Sequence, residues 1–384
     1  VKILVNAISI KEGGSLVVLR NLLRHMVELD ASIQWHVAAH ASISQIPEFS
    51  LPRVCGHFFA DAERSPLHVQ WWYNVTLPAL VRRIGADLLF SQTNYLPMRG
   101  VDCPTLLLEQ HAGHFSDTFD QRMQATLSIA GSWLWRLKRR WIIRSLRLAT
   151  AVTVQTAALA DAISQQAAID RAGITVIPHG CGLAEAVSDV RRYPENRPWH
   201  IGYITKFGVQ KNFEVLIAAA ALLRQQGNVD FSLHLTLNPG LPECQSILTR
   251  VEEAGIGDVV TNHGELGQDQ VPDLYEQLDL FVFPSLCESF GFPLLEAMAH
   301  ALPLLIADVP GNREVAGADA ITFNPFDAAE LASQIIDLTE PERYVAASHS
   351  MRQRSHCFGW PQASSATLQL IRELTGEYPQ RRAI

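Results

Sequence analysis

Residues 281–299 read FVFPSLCESFGFPLLEAMA, and this stretch decides how the rest of the chain is read. An apolar run from Leu280 to Phe283 stops at Pro284. A short polar loop then carries Glu288 and Gly291, and Pro293 opens an apolar helical pattern that contains Glu296. The spacing predicts a strand, a loop and a helix start. Gly291 lets backbone approach a ligand closely, and the amides at a helix N-terminus attract anions, so the loop is a candidate phosphate site. The carboxylates of Glu288 and Glu296 suit hydroxyls on either side of such a ligand, since they accept hydrogen bonds from sugars and repel phosphate. For Glu296, placed by this reading in the first helical turn, compensation of the helix dipole is the competing explanation.

Outward from that stretch, strand-like runs alternate with helical patterns along both halves of the chain. Runs at 2–5, 35–39, 87–91, 105–108, 151–155 and 173–178 form one series. Runs at 200–205, 231–237, 258–262, 280–283, 303–307 and 320–323 form a second. Such alternation predicts α/β architecture with two doubly wound parallel sheets. The charged, proline-bearing run 184–198 is the expected linker. It leaves a first domain over 1–180 and a second over 199–360, with a last helix over 361–384 packing back on the first.

Composition narrows the function. The chain has 384 residues, 48% of them hydrophobic, enough for two cored domains. A net charge of -8 gives no basic footprint for nucleic acid. No apolar run is long enough to span a bilayer, and the opening VKILVNAISI reads as a strand and not as a secretory leader, so a cytoplasmic protein is expected. The six cysteines show no CxxC and no evident Cys/His cluster, so reduced thiols and no metal site are expected.

Other polar residues fall where ligands of open α/β sheets bind, on loops after strands. Gly13 and Gly14 follow the first strand. Lys206 and Lys211 follow the first strand of the second half and can supply the cations that a diphosphate requires. After the run 105–108 comes Glu109-Gln110-His111-Ala112-Gly113-His114, whose imidazoles can hydrogen-bond a sugar hydroxyl or a leaving phosphate. Residues 121–150 hold seven Arg or Lys and no Asp or Glu. Trp133, Leu134, Leu137, Trp141 and Leu148 fall near one helical face there. A basic amphipathic helix of this kind suits an anionic membrane surface, while a core-facing helix with a basic side toward the cleft is equally compatible.

Together these residues resemble the family 4 glycosyltransferases, retaining enzymes of the GT-B fold, in which two Rossmann-like domains face each other across a cleft. The resemblance rests on Gly13-Gly14, Val176-Ile177-Pro178-His179-Gly180, Lys206 with Lys211-Asn212, and Pro310-Gly311 with Glu314-Val315. Its most specific part is the Glu-x7-Glu pattern of Glu288 and Glu296 in its Phe-Gly-Phe-Pro setting. It implies a nucleotide-diphosphate sugar as donor, of GDP-mannose or UDP-hexose type, and a saccharide acceptor, with no cofactor and no required metal. It further implies that Lys206 and Lys211 bind the donor diphosphate, that Glu288 meets the donor sugar and that Glu296 meets the ribose. The Phe290 to Leu294 amides, Gly291 and Phe292 among them, would cap the phosphates beside Ser289. A histidine after a first-domain strand would contact the donor sugar: His111 by this reading, with His114 or Gln110 as alternatives. The basic, Trp-bearing segment, with Trp71-Trp72-Tyr73 upstream, points to a lipid-linked acceptor at the cytoplasmic membrane surface and to bacterial surface polysaccharide synthesis. A GT-B epimerase or phosphorylase, or a catalytically silent sugar-binding subunit, would share these features. A dinucleotide-dependent oxidoreductase would need GxGxxG after a strand, which is lacking.

Overall fold

The structure, a computed structural model, describes residues 1–183 and 190–376. Residues 184–189 of the expected linker and 377–384 of the expected last helix lie outside the described residues. The chain forms two compact units: Val1–Phe115 with Thr126–Gly180 and the C-terminal stretch from Gly359, and Ser116–Ala125 with Cys181–Phe358.

The first unit is built on β1 (Lys2–Ala7), β2 (Gln34–His40), β3 (Val54–Phe59), β4 (Leu88–Ser91), β5 (Thr105–Leu108), β6 (Ala151–Val154) and β7 (Ile174–Val176). All pair in parallel, in the order β3-β2-β1-β4-β5-β6-β7. Every residue of β4 and β5 is buried, as helices on both faces of a parallel sheet require. Strand β3 was not visible in the sequence. It is an edge strand of mixed exposure, interrupted by Gly56, and shows neither strict alternation nor a continuous apolar run. Its pairing with β2 sets His36 opposite Cys55 and Ala38 opposite His57. Parallel pairing thus makes a Cys/His cluster from residues far apart in sequence, against the expectation of none.

The helix Trp360–Leu374 returns to this unit and packs on the helix Gly13–Leu29, where Arg372 Nε donates to Asp30 Oδ2 at 3.1 Å. The Pro178-His179-Gly180 motif meets that returning helix. The buried His179 ring stacks on Trp360 at 5.2 Å, and a Cβ on Gly180 would fall 2.6 Å from the Trp360 amide nitrogen.

The second unit holds β8 (Trp199–Tyr203), β9 (Phe231–Leu235), β10 (Val260–Asn262), β11 (Leu280–Phe283), β12 (Leu304–Ala307) and β13 (Ile321–Phe323), parallel in the order β10-β9-β8-β11-β12-β13. Chain order reverses between β8 and β11 here, and between β1 and β4 in the first sheet. These are the switch points at which open α/β sheets form their crevices.

The single basic helix expected over 121–150 is two helices, Asp117–Thr126 and Ile129–Leu148. They are separated where the Ser128 hydroxyl caps the second by accepting from the Gly131 amide. Residues 116–125 belong with the second unit, because Arg122 donates to Val209 O at 3.1 Å and Asn212 Oδ1 at 3.0 Å. The expected apolar stripe also divides. Trp141 is buried and donates through Nε1 to Leu96 O at 3.0 Å, whereas Ile129, Trp133 and Leu134 stay exposed.

Candidate functional site

At the β8/β11 switch point the loops after the two strands are bonded to each other. The Leu286 amide donates to Gln210 O at 2.9 Å, and Lys211 Nζ lies 2.6 Å from Glu288 Oε1. The ion pair is largely shielded, with 11% of the lysine side chain and 15% of the glutamate side chain exposed. Three neighbours fix Glu288. The Ser285 hydroxyl donates to the same Oε1 at 2.5 Å. The buried Asn312 amide donates to Ser285 O at 2.9 Å and Ala307 O at 3.1 Å. Gly311 comes so near that an added Cβ would stand 3.3 Å from Glu288 O. On the other side Asn212, at φ 54°, caps the helix Phe213–Gln226 in the left-handed conformation and donates from Nδ2 to Pro325 O at 2.8 Å. The lysine and carboxylate expected at the donor are therefore one unit with a fixed geometry.

Lys206 sits on the same loop but turns to the opposite side of β8. Its Nζ is 2.7 Å from Glu265 Oε1 on the loop after β10, and both groups are well exposed. The two lysines expected to act together thus diverge, one toward β11 and one toward β10. An exposed pair of this kind is weak and can rearrange, whereas Lys211 and Glu288 are held.

The helix after β11 runs over Phe292–Ala299, with Gly291 as N-cap at φ 80° and Pro293 at its second position. The expectation that Glu296 lies in the first turn is corrected, since it is the fifth helical residue and the first turn holds no acidic residue. Dipole compensation therefore does not account for it. The amide of Leu294, expected to face phosphate, donates to Gly291 O at 2.9 Å instead. Glu296 Oε2 accepts from the Tyr275 hydroxyl at 3.1 Å, and burial pushes the carboxyl up to about 7 against the opposing effect of that bond. Tyr275 is fully buried, its ring stacked on His300 at 4.9 Å. Sequence reading did not single out Tyr275 or Asn312. Nothing local marks them, and Tyr275 reaches Glu296 across 21 positions.

In the first unit Gly13 opens its helix at φ 68°, and both Gly13 and Gly14 are exposed. Glu109, at the end of β5, is wholly buried. Its Oε1 accepts from the His111 amide at 3.0 Å, and burial raises its carboxyl well above the ordinary range. The three alternatives after β5 differ in their surroundings. Gln110 is tied to the loop after β4, donating from its amide to Asn94 Oδ1 at 2.9 Å and from Nε2 to Gln92 O at 3.0 Å. His114 is buried and stacked on Trp135 at 4.3 Å, and its imidazole is pushed down to about 2 by burial and by the nearby His111 and Arg139. His111 is half-buried, its ring tilted against His114 at 4.5 Å.

Residues 12–185 match the family described as Glycosyltransferase Family 4, and residues 198–340 match that described as Glycosyl transferases group 1. The chain is similar to the D-inositol 3-phosphate glycosyltransferase of Paenarthrobacter aurescens, at 27% identity over 241 residues, covering 59% of this chain and 58% of that protein. It is also similar to the O-antigen chain mannosyltransferase B of Escherichia coli, at 25% identity over 188 residues, covering 48% of this chain and 49% of that protein. The matches span about half the length of these curated relatives. The sucrose-phosphate synthase of Thermosynechococcus elongatus shares the fold, with a TM-score of 0.76 at 19% identity, covering 98% of this chain and 100% of that one. Two family matches in tandem, each over its own parallel sheet, and a Glu-x7-Glu loop built at the second switch point lead to one assignment: the chain belongs to the family 4 glycosyltransferases of GT-B fold.

Proposed function

We propose that this protein transfers a hexose, with retention, from a nucleotide-diphosphate sugar of GDP-mannose or UDP-hexose type to a saccharide acceptor. The observation that carries the reading is the shielded Lys211–Glu288 pair at the β8/β11 switch point, beside a helix N-terminus capped by a left-handed glycine. Departure of a nucleoside diphosphate builds negative charge on phosphate while the sugar becomes oxocarbenium-like. Lys211, Lys206, the amides around Ser289, Phe290, Gly291 and Phe292, and those of Gly13 and Gly14 stabilise the first charge. Glu288 and His111 hold the sugar, and Glu296 accepts from the ribose hydroxyls. One preorganised donor of this kind supplies about 3 kcal/mol of barrier reduction. Glu288 already accepts from Lys211 and Ser285, which suits it to hydroxyl binding and leaves the acceptor's proton to the departing phosphate.

The acceptor in this reading is a lipid-linked saccharide of a bacterial surface polysaccharide, met at the inner face of the cytoplasmic membrane. The O-antigen mannosyltransferase relative and the exposed Ile129, Trp133 and Leu134 support it. No described helix is long and apolar enough to cross a membrane. Transfer in this reading needs no metal, because Lys206, Lys211 and the loop amides supply the positive charge that the diphosphate requires.

A thermal-shift screen with UDP, GDP, ADP and CMP, followed by incubation with the matching sugar nucleotide and NMR of the product anomer, tests the proposal. Stabilisation by one nucleoside diphosphate and a product of unchanged anomeric configuration are expected, with turnover surviving EDTA. Indifference to all four nucleotides would favour a silent sugar-binding subunit. Free sugar phosphate or an epimerised nucleotide sugar as product would favour the phosphorylase or epimerase reading.

A further inference from the structure

We propose that His36, Cys55 and His57 form a zinc site on the edge of the first sheet. The three come from neighbouring parallel strands. His36 stands opposite Cys55 in the β2/β3 register, and His57 lies two residues on from Cys55, so all three side chains project from one face. Their ligand atoms lie within 4.8 Å of one another, and His36 Nδ1 is 3.1 Å from His57 Nε2. Around a tetrahedral zinc with ordinary bond lengths, two imidazole nitrogens stand about 3.3 Å apart and a nitrogen and a thiolate sulfur about 3.5 Å apart. Side-chain rotation alone closes the difference.

The donor set chooses the ion. One thiolate and two imidazoles match a borderline-soft dication and suit neither magnesium nor calcium, which take oxygen ligands. The charged neighbours of the two imidazoles are Lys2 and Arg83. Lys2 Nζ is already committed to Ile84 O at 3.2 Å. On binding, the Cys55 thiol proton passes to water, and the resulting thiolate lowers the net charge of the cluster by one. Cys55 is exposed, so the fourth ligand is water and the ion has a path in.

The position argues for an ion that braces the sheet edge, with its fourth position left to water. The ligands lie on β2 and on β3, an edge strand hydrogen-bonded on one side only, and a metal bridging the two strands would hold that edge in register. The site is independent of the proposed donor chemistry, whose lysine and carboxylate belong to the second unit.

The test uses the full chain, stripped with chelator and then titrated with zinc alone against a chromophoric competitor. One equivalent per chain is expected for the wild type and for Cys357→Ser, which removes the other exposed cysteine. Cys55→Ser and His57→Asn should each weaken binding at least tenfold. Cobalt substitution should give a near-ultraviolet thiolate charge-transfer band and tetrahedral visible bands, the former lost in Cys55→Ser. Zinc should also raise the melting temperature of the wild type by several degrees and leave Cys55→Ser unmoved. Zinc uptake unaltered by Cys55→Ser, or a cobalt spectrum without the thiolate band, would overturn the site.

Discussion

Lys211 and Glu288 are each the other's main partner, which separates their structural role from their chemical one. Lys211→Met should lower turnover by about 10²–10³-fold. It should also destabilise the chain by about 1–3 kcal/mol, because a shielded carboxylate is left without its cation. Adding Glu288→Gln should restore much of the stability and none of the turnover, as denaturant midpoints and nucleoside diphosphate release would show; equal loss of both properties in the double variant would make the pair purely structural. Glu296 obeys a different sign. Its folded-state pKa, about 7, is above the ordinary glutamate value of 4.5, so between those values the folded state binds the extra proton and stability falls as pH rises. Glu296→Gln should therefore be more stable than wild type at pH 8, by up to about 3 kcal/mol, and lose that advantage near pH 4.5, while nucleotide affinity drops at both. Calorimetry at the two pH values with a nucleotide titration checks this. Glu288 and Lys211 were legible as loop residues because each follows a strand-like run. Tyr275, Asn312 and the buried Glu109 were not, since their roles depend on partners that only the fold brings near.

The elements around the site rest on a few local commitments. Gly291→Ala would force a Cβ into a left-handed position 3.2 Å from the Phe283 ring, costing about 1–2 kcal/mol and shifting the helix N-terminus. Nucleotide affinity should fall by more than the melting temperature alone suggests, and an unchanged dissociation constant would show that this N-terminus does not meet the ligand. A second commitment is the chain of imidazoles that runs from β8 through β9 to the residue after β10. His200 Nδ1 lies 2.9 Å from His234 Nε2, and His234 Nδ1 lies 2.9 Å from His263 Nε2. Each contact needs one donor and one acceptor nitrogen, so protonating His234 turns one of them into two facing donors. Burial first, then the charges of His200 and His263, hold His234 down to about 4 from 6.5. The unfolded chain therefore takes up this proton first, and stability should fall as pH drops from about 6.5 toward 4. Urea midpoints at pH 7.5 and 5.0 should differ, and less so in His234→Gln; an equal difference in both proteins would remove His234 from the account. The strands carrying these histidines were visible in sequence as short apolar runs. The start of the helix at Phe292 was shifted by one because Pro293 suits either of the first two positions, and β3 was missed because an edge strand need not be apolar.

At the scale of the molecule, the two wound sheets were legible because a parallel strand covered on both faces must be apolar throughout, and such runs recur in both halves of the sequence. The assignment of 116–125 to the second unit was not, since it follows from the reach of Arg122 to residues about ninety positions away. Structure also revises the membrane argument. Of the seven basic residues between 121 and 150, Arg122, Arg139, Arg144 and Arg147 are bonded to backbone carbonyls, at Val209, His114, Met98 and Ala167. Arg136, Lys138 and Arg140 are exposed, with charge to offer a surface, beside Trp133 at 63% and Ile129 at 93% exposure. The helix Pro66–Trp71 and the helical turn Trp72–Thr76 that continues it contribute a similar stripe, with Leu67, Trp71 and Val75 exposed at intervals of four residues. Three cations at about 1 kcal/mol each, together with a few partly inserted apolar side chains, give weak and reversible binding that depends on anionic lipid and on salt. The full chain should therefore float with vesicles containing phosphatidylglycerol at 50 mM salt, release at 500 mM, and ignore phosphatidylcholine alone. Trp133→Ser with Ile129→Ser should reduce flotation several-fold while leaving nucleotide binding intact, because both are exposed residues outside the set proposed to meet the donor. Flotation unaffected by these changes, or absent with anionic vesicles at low salt, would leave the acceptor to be sought among soluble saccharides.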